Sequence, residues 1–156
     1  MKIKLAVLSG VLLFMAACSH YDELQNNAKE SRTGDDESHN AGENCMRCHN
    51  AGEFSEAALE GWWNIGGTAY KNGRTAKSGY VELWTGPNRT GEFLYRLEID
   101  ELGNFYTSKI IDFKGGFYPV LLNADGSFNA GMSSKTVVGA CNTCHDNKTQ
   151  DRITFY

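Results

Sequence analysis

From Trp62 to Val138 apolar and polar residues take turns, and no long stretch keeps a helical period. In EFLYRLEI, Phe93, Tyr95, Leu97 and Ile99 fall on one side of an extended chain. Glu92, Arg96 and Glu98 fall on the other, and Leu94 breaks the rule. Val81 and Leu83 alternate with Tyr80, Glu82 and Trp84 in the same way. Successive side chains of a strand point to opposite faces, so each run predicts a strand with one buried face. The turn clusters KNG, TGPN, DELGN, KGG and NADGS separate these runs at the spacing of a sandwich or barrel. Strands are predicted near 62–70, 79–85, 92–99, 104–110, 117–122, 127–131 and 135–139. The fold class is mainly β, a single antiparallel β-sandwich of about seven strands with irregular segments at both ends. Only EFSEAALEGWW, ahead of the first strand, has helical character. NADGS at 123–127 reads as a hairpin turn, because a calcium loop needs more carboxylates.

The order of these motifs suggests a relative. NIGGTAYKNGRTAKSGYVELW, then LEIDELGNFYTSKI and GGFYPVLL, resembles the carboxypeptidase regulatory-like, or transthyretin-like, β-sandwich over about residues 64 to 122. The likeness rests on a Gly-Thr strand opening and on an Asp-x-x-Gly-x-Phe turn, here Asp100, Gly103 and Phe105. It implies a fold and no activity.

The first residues belong to targeting rather than to the sandwich. MKIKLAVLSGVLLFMAAC sets Lys2 and Lys4 before an apolar run and ends in small residues, the layout of a secretory signal. Met15-Ala16-Ala17-Cys18 resembles the lipobox of bacterial lipoproteins, with Met15 where Leu is usual. That resemblance implies cleavage before Cys18 and lipidation of Cys18, hence an anchor in the cell envelope, most simply the outer membrane. The plainer reading is an ordinary cleaved signal with an incidental Cys18. Losing residues 1–17 removes two lysines and no acid from a net charge of −4, which leaves −6. Seven acids (Asp22, Glu23, Glu30, Asp35, Asp36, Glu37, Glu43) crowd the stretch 21–44 against Lys29 and Arg32. With Leu24 as its one large aliphatic residue, that stretch is expected to be a flexible acidic tether. The chain has no basic patch, so nucleic acid is not an expected partner. The predicted organisation is signal peptide 1–17, tether 18–44, a first cysteine-bearing segment 45–61, sandwich 62–139 and a second cysteine-bearing segment 140–156.

The cysteines carry the chemistry. Apart from Cys18 there are four, and all four lie in two Cys-x-x-Cys-His motifs: Cys45, Cys48 and His49, then Cys141, Cys144 and His145. In this pattern two thioethers join the cysteines to the vinyl groups of a haem, and the adjacent histidine becomes the proximal iron ligand. Both motifs resemble those of multihaem c-type cytochromes, which implies two covalently bound haem c groups. The same thiols could surround a Zn2+ ion or pair as disulfides, but both readings leave His49 and His145 without a role. A thioredoxin-like redox pair needs a βαβ unit, which the pattern lacks.

Distal ligands are scarce. His39, which could fold back on either haem, and Met132, close in sequence to the second, are the candidates, against the plainer readings of a tether residue and a sandwich core residue. Met46 sits between its own two thioether cysteines and cannot reach the far face, and His20 beside the anchor reads as an idle surface residue. A methionine ligand raises the potential relative to histidine, so this pairing makes the two haems unequal. Trp62, Trp63 and Trp84 could line a haem or stack on a sugar, but aromatics at strand positions are more often core, and they are read so. The expected function is a membrane-tethered dihaem cytochrome that exchanges electrons with other redox proteins or cytochromes. Its rivals are a haem enzyme or small-ligand binder with an open iron, and a binding lipoprotein whose sandwich docks a polysaccharide or protein. Chain termini often lie close together, so the two motifs are expected to converge.

Overall fold

The computed structural model describes residues 25–49 and 61–156. The signal sequence 1–17, the lipidation site Cys18, His20, and most of EFSEAALEGWW lie outside the described residues. Among the described residues eight strands form: β1 (Ile65–Lys71), β2 (Arg74–Thr75), β3 (Tyr80–Gly86), β4 (Thr90–Glu98), β5 (Asn104–Thr107), β6 (Tyr118–Leu122), β7 (Phe128–Gly131) and β8 (Ile153–Phe155). They make two four-stranded sheets. One runs β2-β1-β5 with β8 also on β1, and the other runs β4-β3-β6-β7. The mainly β sandwich stands.

The alternation does what it predicted on β3, whose Val81 and Leu83 face the core beside Leu97, Ile99, Phe105, Phe117 and Leu121. Each such side chain contributes about 1.5–3 kcal/mol when fully buried. Asp100 Oδ1 accepts the backbone N–H groups of Leu102 and Asn104, and Gly103 takes φ +86°. That turn delivers Phe105 to the core at 1% exposure. NADGS closes the β6–β7 hairpin through Asn123 N to Ser127 O, 2.9 Å.

Four expectations need correction. The segment 135–139 is not a strand and keeps only an isolated bridge, Phe117 with Thr136. The sandwich is not wholly antiparallel, because β8 runs parallel to β1 with Ala69 opposite Ile153. Phe93 is 47% exposed rather than inward, because the β3–β4 register shifts beside Trp84 and turns it out. Glu82, on the face expected to meet solvent, is 1% exposed. The turn Pro87–Arg89 folds back over it, and its carboxylate meets Arg96 at 2.6 Å, Arg89 at 2.9 Å and the Trp84 indole N–H at 2.9 Å. Burial pushes this carboxyl up, but Arg96, Trp84 and Arg89 outweigh it and hold it below its usual range.

The described part of the predicted tether, 25–44, is likewise held rather than free. Ser31 N donates to Tyr106 O at 3.0 Å, and Tyr106 N donates to Ser31 Oγ at 2.9 Å. Ser31 Oγ in turn donates to Glu98 O at 2.6 Å, so one serine joins β4 of one sheet to β5 of the other. Ser108 N adds a bond to Lys29 O, 2.9 Å. Composition misleads here because the segment is fastened by backbone and hydroxyl hydrogen bonds, not by apolar burial. Ser31→Ala is expected to cost about 1–3 kcal/mol in urea unfolding, since it strips a partner from Tyr106 N and from Glu98 O beside a serine that is itself buried. An unchanged unfolding midpoint would show that the clasp carries no weight.

Candidate functional site

Strand β1 is where the two motifs meet. Its sequence IGGTAYK puts Ile65, Gly67 and Ala69 on the core face and Gly66, Thr68 and Tyr70 on the other. A Cβ at Gly66 would stand 3.2 Å from Cys45 Cβ, and one at Gly67 would stand 2.9 Å from Cys141 Cβ. The two cysteine turns therefore approach consecutive residues of one strand, whose Cα atoms are about 3.8 Å apart. The expected convergence is present in the protein chain itself.

The first turn arrives across the outer face of β1. Gly42 N donates to Thr68 Oγ1 at 2.9 Å, and three residues later the 3-10 turn Cys45–Arg47 begins, capped by Asn44 Oδ1 on Met46 N. The second stands at the strand's free edge. Gly66 N donates to Gly139 O at 3.0 Å, Thr68 N donates to Asn142 Oδ1 at 3.0 Å, and β8 pairs with Ala69–Lys71. The loop 141–152 is thus clipped to β1 at both ends, and the Asn142 amide completes the ladder between them.

Both turns have the same hydrogen bonds. His49 N donates to Cys45 O at 3.0 Å and His145 N to Cys141 O at 3.1 Å. Each imidazole then turns Nδ1 to a backbone carbonyl: His49 to Gly61 O at 3.0 Å, His145 to Asp151 O at 2.7 Å. A carbonyl accepts only, so Nδ1 carries the proton and Nε2 keeps a free lone pair. Burial holds His49 below its usual 6.5 against the raising effect of the Gly61 carbonyl, and His39 adds to the lowering. Burial raises the Cys45 thiol, and it pushes Cys141 up to about 12, with Cys45 and Cys144 adding to the rise. All four described cysteines are free thiols.

His39 lies near the first motif, and Met132 shares a cavity with the second. The His39 ring lies 5.8 Å from that of His49, centroid to centroid. Met132, pinned by its N–H to Pro119 O at 3.0 Å, lines a cavity of about 380 Å³ together with Cys141, Cys144 and His145. Pro119, Leu121 and Val138 give that cavity an apolar wall, and its volume is in the range of small-molecule and cofactor sites.

Trp63, read from sequence as core, belongs to the site. Its indole stacks on His49 at 3.7 Å and 5°, and on Tyr106 at 4.2 Å and 9°. Its buried Nε1 has no partner among the described residues. Trp84 sits instead beneath Arg89 on the far sheet, and Trp62 stays half-buried. The residues that sequence reading missed are Thr68, Asn104 and Asn142. Polar residues in a strand and a turn look like surface, and only the close packing of segment 38–45 on β1 buries them.

These residues fit haem c. Two matched turns present thiols and an imidazole with a free Nε2, and a second candidate donor stands near each. A Zn(Cys)4 site needs its donors at one point, and among the described residues no three His, Cys, Asp or Glu side chains gather in that way. Among the described residues no helix is long and apolar enough to cross a membrane. Comparison with known proteins adds no relative: no family model, no curated protein and no solved structure matches the chain.

Proposed function

We propose that this chain is a dihaem c-type cytochrome, an electron carrier held to a bacterial envelope membrane by lipid on Cys18. The observation that carries the reading is the repetition of one histidine geometry. In both motifs the turn donates back to the first cysteine, and Nδ1 is spent on a carbonyl, so Nε2 is left for iron. Haem iron, when bound, supplies one-electron chemistry between its ferrous and ferric forms.

The chain's own residues do the rest. Cys45 and Cys48 hold the first group and Cys141 and Cys144 the second. His49 and His145 give each iron its proximal nitrogen. His39 beside the first motif and Met132 beside the second would be the further donors to the two irons, and a methionine donor would set the second site at the higher potential. Trp63 packs flat on His49 and fixes the azimuth of that ring. Because both turns stand on β1, two groups held there would be neighbours within one chain and could exchange electrons, and the other exposed surfaces would serve redox partners. The sandwich, read as carboxypeptidase regulatory-like, is the rigid body that sets the spacing and offers docking surface to a protein or polysaccharide.

The test is a pyridine haemochrome spectrum with intact mass, on protein matured by a c-type assembly system. The expected result is a c-type spectrum and a mass gain of two haems that survives denaturation. Absence of covalent haem would remove electron transfer and return the four thiols to zinc or disulfide chemistry.

A further inference from the structure

Between the two turns lies a chain of buried polar groups that ordinary sandwich packing does not require. Asn142, inside the second motif, donates from Nδ2 to Glu43 O at 2.8 Å and to Thr68 Oγ1 at 3.0 Å. Thr68 Oγ1 also accepts Gly42 N at 2.9 Å and donates its own proton to Asn104 Oδ1 at 2.7 Å. Asn104 Nδ2 then donates to Ser38 Oγ at 2.9 Å and to His39 O at 3.2 Å. A hydroxyl has one proton and two lone pairs, and Thr68 uses all three. The carbonyl of His39 fixes the Asn104 amide, so the direction of the chain is unambiguous. All three side chains are nearly closed to solvent: Thr68 1%, Asn104 4%, Asn142 3% exposed.

We propose that Thr68 is the positioning residue for the first haem's distal ligand, and that Asn142–Thr68–Asn104 is a bridge coupling that ligand to the second haem-binding turn. The proposal rests on the haem reading above. Its logic is geometric. His39 itself is exposed, and no hydrogen bond to its ring is among those of the described residues. Its backbone is gripped from one side by Asn104, and the chain after it is gripped by Thr68 at Gly42 and by Asn142 at Glu43. Those grips hold the segment that carries both His39 and Cys45. Because Asn142 lies between Cys141 and Cys144, a shift of the second turn is passed to the segment before Cys45 both directly, at Glu43 O, and through Thr68. An unpaired buried donor is costly, so the bridge holds as a unit or opens as a unit.

The experiment uses the matured full chain and reads covalent haem by mass, spin state by electronic and paramagnetic resonance spectra, and carbon monoxide binding after reduction. Thr68→Val keeps the strand shape and removes the hydroxyl. The expected result is two covalent haems, a new high-spin signal, and carbon monoxide uptake rising towards about half of the haem, because one of two irons loses its distal histidine. Thr68→Ser is expected to restore the parent spectrum. If Thr68→Val does not fold, Asn104→Ala carries the test, since it frees Ser38 and His39 and leaves Thr68 bonded to Gly42 and Asn142. His39→Ala separates the layers. Where it opens one iron and Thr68→Val and Asn104→Ala both keep the parent spectrum, the bridge proposal is overturned and the haem reading stands. Where His39→Ala changes nothing, His39 is not the ligand and the bridge proposal falls with that assignment. A parent protein without covalent haem overturns both readings at the first step.

Discussion

Cys141→Ala combined with Cys144→Ala is expected to halve the covalent haem, from two groups per chain to one, while the sandwich stays folded. The reasoning begins with the thiol. Burial holds Cys141 as a neutral thiol at physiological pH, with a pKa pushed up to about 12. A neutral thiol is a slow partner in disulfide exchange, which needs the thiolate. It is a fit reactant for addition across a vinyl group, in which sulfur bonds one vinyl carbon and the proton goes to the other. Cys144, exposed at the mouth of the same cavity, supplies the second sulfur.

The fold should survive because other contacts hold the loop. Gly139 O, Asn142 Oδ1 and β8 clip residues 139–155 to β1, and none of these uses a sulfur atom. Intact mass after denaturation reads the haem count, and urea unfolding reads the sandwich. A variant that still carries two haems would break the assignment of the second motif. A variant that loses both haems would show that the first site cannot be filled without the second, which is the coupling the Thr68 bridge provides in stronger form.

How much of this was legible beforehand depends on what each residue does. Period-two alternation placed β3, β4 and β6 because long runs with one buried face announce themselves. Strand β8 was invisible, since ITF is three residues long and too short to alternate. Its pairing is decided by the loop that precedes it. The arm 25–44 was misread because composition weighs apolar surface and is blind to a serine that bonds two sheet edges. Glu82 was misread because alternation assigns a face but does not say what covers it. Here a short turn with Asn88 and Arg89 at positive φ swings a guanidinium over the sheet.

The site divides along the same line. Cys-x-x-Cys-His is local, so the spacing itself brings thiols and imidazole together, and all six residues could be named in advance. His39 and Met132 could be named only by counting the few donors in the chain. The groups that place them could not be named at all. Thr68, Asn104 and Asn142 are far apart in sequence, and their roles exist only once segment 38–45 crosses β1.

Gly67→Ala is expected to destabilise the protein by about 1–3 kcal/mol, the cost of overpacking a filled interior, and to disturb the second Cys-x-x-Cys-His turn before the first. Gly67 stands opposite Phe105 in the β1–β5 ladder, and the ring of Phe105 lies across the space a side chain would occupy. An added methyl would meet Phe105 Cζ at 2.5 Å on one side and Cys141 Cβ at 2.9 Å on the other. Phe105 is 1% exposed and has no room to retreat, so the second turn must move. The neighbouring substitution is the control. At Gly66 the nearest atoms are Cys45 Cβ at 3.2 Å and Trp63 Cε3 at 3.3 Å, which a shift of a few tenths of an ångström relieves. Alanine there also removes about 0.4–1 kcal/mol of unfolded-chain freedom, so Gly66→Ala is expected to be close to neutral. Urea unfolding of both variants, read beside the spectrum of each haem, decides the matter. Equal losses at the two glycines would mean that the cysteine turns do not stand on consecutive residues of β1, and the proposal of a short path between two haems would go with them.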